Sequence, residues 1–123
     1  MSAADDSRSF FGQVNGYVPE QTELVQYERD DAWVIVAHGV FDMDSITPFA
    51  EALQTAASEH TKVIVDASGI TFADSTFLNL LLRINQETDL RIAAPAPQLR
   101  RVLEMTGADS VLTLRPSIDD ATT

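Results

Sequence analysis

The sequence predicts an α/β fold: one small, mostly parallel β-sheet with an N-terminal hairpin and helices packed on it. Three observations predict it. Short runs rich in Val, Ile and aromatic residues alternate with longer stretches whose apolar residues recur at steps of three and four. Strand–helix–strand alternation implies parallel pairing through crossover connections. The chain has 123 residues, 45% of them apolar, and no cysteine, so a single core can form without disulfides or thiolate metal sites.

Residues 1–20 are polar and rich in Ser, Asp and Gly, apart from Phe10, Phe11 and Tyr17. They read as a partly ordered N-terminal arm that docks locally. A domain over 21–117 follows, and 118–123 read as a polar C-terminal tail. "ELVQYE" and "AWVIVAHG" read as two strands of a hairpin around the turn signal "RDD", with Gly39 ending the second strand. In "DSITPFAEALQTAASEH", Ile46, Phe49, Ala50, Leu53, Ala56 and Ala57 build one apolar stripe of a helix. Asp44 or Ser45 suits its N-cap, and Pro48 fits its first turn. "KVIVD" reads as a strand buried on both faces, followed by a loop, "ASGITFAD", with Ile70 and Phe72 turned inward. Leu78, Leu81, Leu82 and Asn85 trace a helix from about Ser75 to Glu87, and Leu80 and Ile84 widen its apolar face. "LRIAA" is a strand. "APQLRRVLEMTGA" is a helix with Leu99, Val102, Leu103 and Thr106 on one face and Gly107 as its stop. "VLTLRP" is the last short strand. This order gathers the strand-to-helix loops at the carboxyl edge of the sheet, where α/β folds carry their function.

The net charge is −11, from 19 acids against 8 Lys and Arg. That argues against nucleic acid and against anionic membrane surfaces, both of which call for clustered cations. No apolar run reaches the ~18 residues of a membrane span. No basic start precedes an apolar stretch, so no signal peptide is expected, and a cytoplasmic location follows. Nothing demands more than a monomer.

In "TFADSTFLNLLL" (71–82) an acid, a serine and a threonine precede an apolar run. Ser75 reads first as an N-cap contributing ~1 kcal/mol, a task that Asp74 and Thr76 could share. A second reading is phosphorylation. Hydroxyls at helix starts face solvent, and a phosphate there would sit on free N–H groups at the positive end of the helix dipole.

"VIVDASGITFADSTFLNLLL" resembles the signature of the STAS domain family, the bacterial anti-sigma factor antagonists. Asp66, Ser68, Ile70, Phe72, Asp74, Ser75 and Thr76 match it, and Phe77 stands where Gly is usual. "GVFD" (39–42) resembles that family's turn after the second strand. "APAPQLRRVLEMTGADSVLTL" resembles its C-terminal helix and last strand. The resemblance covers about residues 21–117. It implies a binding module, not an enzyme, in a partner-switching system. The partner would be an anti-sigma factor that is also a Ser/Thr kinase, with a phosphatase reversing its action. The phosphoacceptor is then Ser75, with Thr76 as fallback, and Asp42, Asp74, Ser75, Thr76 and Phe77 form the docking surface. Phe77 is either core or an exposed anchor. It also leaves room for an alternative, an unphosphorylated scaffold or sensor module that binds a protein or a small apolar ligand.

A hydrolase reading would need a base beside Ser75. His38 lies near the same edge, but no G-x-S-x-G elbow is present, and His38 reads as a strand-end residue. His60 suits the negative end of the first helix. Asp42, Asp44, Asp66 and Asp74 match no Ca²⁺ loop and read as turn and cap acids, with no metal or cofactor expected.

Overall fold

In the computed structural model, the described residues run from 23 to 122. The expected N-terminal arm lies outside them. The order is β1 (Glu23–Arg29), β2 (Ala32–Phe41), α1 (Thr47–Glu59), β3 (Lys62–Ala73), α2 (Ser75–Asn85), β4 (Asp89–Ala93), α3 (Pro97–Thr106), a 3₁₀ turn (Ala108–Ser110), β5 (Thr113–Arg115) and α4 (Ile118–Ala121). The strands lie side by side as β1-β2-β3-β4-β5. β1 runs antiparallel to β2, and the other neighbours pair in parallel. The predicted α/β architecture is therefore the observed one.

The hairpin closes through Asp30 and Asp31, both with positive φ (50° and 70°). Such turns match the right-handed twist of the strands they join, and Asp tolerates this conformation better than most residues. α1 begins one or two residues later than the sequence suggests. Its N-cap is Ile46, which makes no side-chain cap bond. Asp44 and Ser45 instead belong to the turn before it.

The largest departure is β3. The segment expected to be a loop continues as strand to Ala73, paired with a β2 that runs past Gly39 to Phe41. Two register shifts interrupt the pairing. Val36 faces Asp66 but His38 faces Gly69, and Gly39 faces Ile70 but Val40 faces Phe72. The extra residues sit in β3 as bulges, which polar residues and glycine favour. At the first bulge, Asp66 Oδ1 accepts bonds from Ser68 N (3.1 Å) and Oγ (2.9 Å). At the second, Gly39 has φ 105°. Ile70 points inward as expected, whereas Phe72 is 55% exposed.

The main core lies between α1, α2, α3 and one sheet face. α2 presents Phe77, Leu80, Leu81 and Ile84, spaced at three and four, so Leu80 and Ile84 are at the centre of its buried face. α3 buries Leu99 and Leu103 but leaves Val102 exposed, and it stops at Gly107 in the left-handed conformation. On the opposite sheet face, Ala32, Val34, Ile64, Ala93 and Ala121 form a smaller cluster. Ala121 belongs to α4, a helical turn within the residues expected to be a polar tail. Lys62 Nζ and Arg91 Nη1 hold its end, donating to the carbonyls of Thr122 (3.0 Å) and Ala121 (2.8 Å).

Candidate functional site

The carboxyl ends of β2 and β3 bring Asp42, Asp74, Ser75 and Thr76 to one edge of the sheet. Phe41 pairs with Ala73, and the Asp74 N–H donates to Phe41 O at 3.2 Å. The turn after β2 and the start of α2 are thus joined by backbone. The turn itself folds around Asp42. Its Oδ1 accepts from Asp44 N (3.0 Å) and Ser45 N (3.1 Å). Ser45 Oγ lies 3.0 Å from Asp42 Oδ1 and 2.9 Å from Val40 O, and it accepts the Asp42 N–H at 3.0 Å. Sequence reading missed this role of Ser45, although an Asp followed three residues later by Ser is the signal for such a turn.

At α2 the cap is Asp74, in extended backbone conformation. Its Oδ1 accepts from Thr76 N at 2.9 Å and, more weakly, Phe77 N at 3.4 Å. Ser75 is the first helical residue. It is exposed, and its hydroxyl makes no hydrogen bond to any described residue. The capping reading of Ser75 is therefore corrected: the carboxylate one residue earlier does that work. Thr76 is half-buried.

Phe77 is 1% exposed, so it offers no surface to a partner and leaves the proposed contact set. It packs against Phe41 and Phe49 with ring centroids 5.5 Å from each, while Phe41 and Phe49 are 4.9 Å apart. These three rings tie the Asp42 turn, α1 and α2 to one another. Apolar exposure at this edge comes from Met43 (72%) and Phe72 instead, neither of which the sequence reading selected.

The edge is acidic. Between Asp30 and Thr61 the sequence has no Lys or Arg, nor between Val63 and Leu82. Asp42, Asp44, Asp66 and Asp74 all fall within these stretches. Among the described residues no three potential ligands cluster to hold a metal ion. His38 is exposed and lies against Gly69, where an added Cβ would meet its ring at 2.8 Å. It makes no hydrogen bond to Ser75. His60 ends α1 and stacks on Trp33, with centroids 4.8 Å apart and planes 10° from parallel.

Beside the edge, Ile70, Thr71, Phe72, Ala73, Gln98, Leu99 and Val102 line a groove of about 330 Å³ between β3 and α3. Among the described residues no helix is long and apolar enough to cross a membrane.

Comparison with known proteins agrees with this architecture. The family model described as Mlab, STAS domain matches residues 25–115. No curated protein matches the chain. Among solved structures, an anti-sigma factor antagonist from Mycobacterium paratuberculosis is 25% identical, with a TM-score of 0.77 over 85% of this chain and 93% of that one. A putative anti-sigma factor antagonist from Thermotoga maritima is 16% identical, with a TM-score of 0.73 over 80% and 90%. The Bacillus cell fate determinant SpoIIAA in its phosphorylated form is 19% identical, with a TM-score of 0.59 over 80% and 94%.

Proposed function

The chain belongs to the STAS domain family, and from that premise we propose that it is an anti-sigma factor antagonist whose binding is gated by phosphorylation at Ser75. The observation that carries this reading is the division of labour between Asp74 and Ser75. Asp74 caps the helix, so the Ser75 hydroxyl is exposed and free for modification without loss of a structural bond. The likeness to solved anti-sigma factor antagonists supports the partner class, and the phosphorylated form of one of them supports the chemistry.

A phosphate on Ser75 would add about −1.5 to −2 charge. The N–H groups of Thr76 and Phe77 are already taken by Asp74, so the phosphate would be held outward rather than folded onto the helix start. It would stand beside Asp74 and near the Asp42 turn, which the Asp74 N–H to Phe41 O bond holds close. The domain stays folded, and the cost falls on whatever docks there through bulk, charge and desolvation. A hundredfold loss of affinity requires only ~2.7 kcal/mol. The partner in this reading is an anti-sigma factor with Ser/Thr kinase activity, opposed by a phosphatase. Asp42, Asp74, Ser75 and Thr76 lie at the contact.

The test is site mapping. Protein recovered from the source cell is digested and its phosphate located by mass spectrometry, with Ser75→Ala and Thr76→Ala chains beside the wild type. Phosphate on Ser75 that disappears only in Ser75→Ala supports the reading. Modification that survives in Ser75→Ala and is lost in Thr76→Ala moves the switch to Thr76. No phosphate under any growth condition favours the second reading, a STAS module that binds its protein partner unmodified. That reading draws on the family description, which names Mlab, and on Phe77 in place of Gly.

A further inference from the structure

We propose that the groove between β3 and α3 is a docking site for this chain's own N-terminal segment, with Phe10 and Phe11 as the apolar occupants. The groove leaves Phe72 55% and Val102 41% exposed, so two large apolar side chains on its walls face water together. A pair of phenylalanine rings carries the apolar area to cover them.

The sheet register says where such a segment starts. Glu23, the first described residue, faces His38, and His38 faces Gly69. Glu23 therefore stands two strand spacings, roughly 10 Å, from Gly69, the residue before the groove wall Ile70–Ala73. β1 is antiparallel to β2, so β1 begins at the sheet edge where β2 ends. Phe11 lies twelve Cα–Cα steps before Glu23. Extended, they span up to about 40 Å, ample for that distance.

Charge agrees. Arg101 is exposed on α3, next to the groove residue Val102, and forms no ion pair with a described residue, whereas Arg100 pairs with Glu104 at 3.5 Å. Asp5 and Asp6 precede the phenylalanine pair with one cation, Arg8, between them, so this stretch keeps an excess of acid. A second copy of the chain is disfavoured as occupant, because each copy carries −11. The groove wall ends at Ala73, directly before Asp74 and Ser75. The inference rests on the groove and the register, not on modification of Ser75, and its test reads the isolated protein.

Because the chain has no cysteine, Ser9→Cys gives a single attachment point for a nitroxide spin label on the full chain. Methyl NMR then reports what lies near it. The expected result is loss of the Ile70, Leu99 and Val102 methyl signals, while the Val34 and Ile64 methyls on the opposite face persist. Adding Phe10→Ser and Phe11→Ser to the labelled chain restores the lost signals, and Arg101→Glu restores them in part. The proposal is overturned if the groove methyls keep their intensity in the labelled wild-type chain. It is also overturned if they are lost when spin label and isotope sit on different chains, which makes the occupant a second copy. A small molecule that co-purifies and perturbs the groove methyls would overturn it as well.

Discussion

Asp74 Oδ1 accepts the Thr76 backbone N–H at 2.9 Å, and this one bond decides what Ser75 is free to do. With the cap supplied by the preceding carboxylate, the serine hydroxyl has no structural task at the start of α2.

Removal of each side chain should therefore give unequal results. Asp74→Ala is expected to cost about 1 kcal/mol, the usual worth of an N-cap. That corresponds to a fall of about 4 °C in melting temperature at this chain length. Ser75→Ala should stay within about 0.5 kcal/mol of wild type. A circular-dichroism melt of both variants checks this, and equal losses would return the cap to Ser75.

Phe77 should matter through packing and not through contact. Phe77→Ala empties a place shared with Phe41 and Phe49 and should cost about 3–5 kcal/mol. Phe77→Leu, which refills most of the volume, should cost less and leave partner affinity unchanged once the folded fraction is matched. A large affinity loss in folded Phe77→Leu would make the ring an interface anchor after all.

Gly69 is held to glycine by its neighbours. A Cβ there meets the His38 ring at 2.8 Å and the Ala37 carbonyl oxygen at 3.2 Å. Gly69→Ala should destabilise by about 1–3 kcal/mol, the usual cost of overpacking. His38→Ala in the same chain should recover part of that loss, because the exposed ring is the closer obstacle. A double-mutant cycle by urea unfolding measures the coupling. Zero coupling would assign the whole penalty to the Ala37 carbonyl.

α4 contributes although it is a single helical turn. A chain ending after Ser117 loses the buried Ala121, the half-buried Ile118 and the bonds from Lys62 and Arg91. The expected loss is about 2 kcal/mol, from apolar burial and two hydrogen bonds. A urea titration that shows no shift in midpoint would mean that the turn does not hold to the sheet in solution.

Much of this architecture was legible in the residues. The hairpin, the three long helices and the parallel strands follow from periodicity and turn chemistry, which are local properties. β3 was not fully legible, because Ser68 and Gly69 look like loop residues when they are bulge residues. The consequence reaches Phe72. The shift that pairs Val40 with Phe72 inserts Thr71 and turns the ring outward, where simple alternation from Ile70 points it in. α4 escaped notice because "IDDA" is polar and short, and only the sheet beneath it makes it a helix.

The site was legible as a cluster but not in its assignments. Asp74, Ser75 and Thr76 are all acceptable caps, and sequence alone does not choose among them. The choice comes from the sheet. The bond from Asp74 N to Phe41 O places Asp74 in extended backbone at the end of β3, so the helix begins at the next residue. Phe77 was left open between core and surface, and the Phe41–Phe49 pair settles it as core.

The most direct test of a gate at Ser75 is a paired capture from lysate of the source cell, with wild-type protein and Ser75→Asp as baits and mass spectrometry as the readout. Asp in the first turn suits the helix dipole, so the variant should stay folded, which a melt confirms. The account predicts that an anti-sigma factor with a kinase fold is held by wild type and is lost from Ser75→Asp. Equal retention of the same partner by both folded baits would contradict it and leave Ser75 an exposed serine without a gating role.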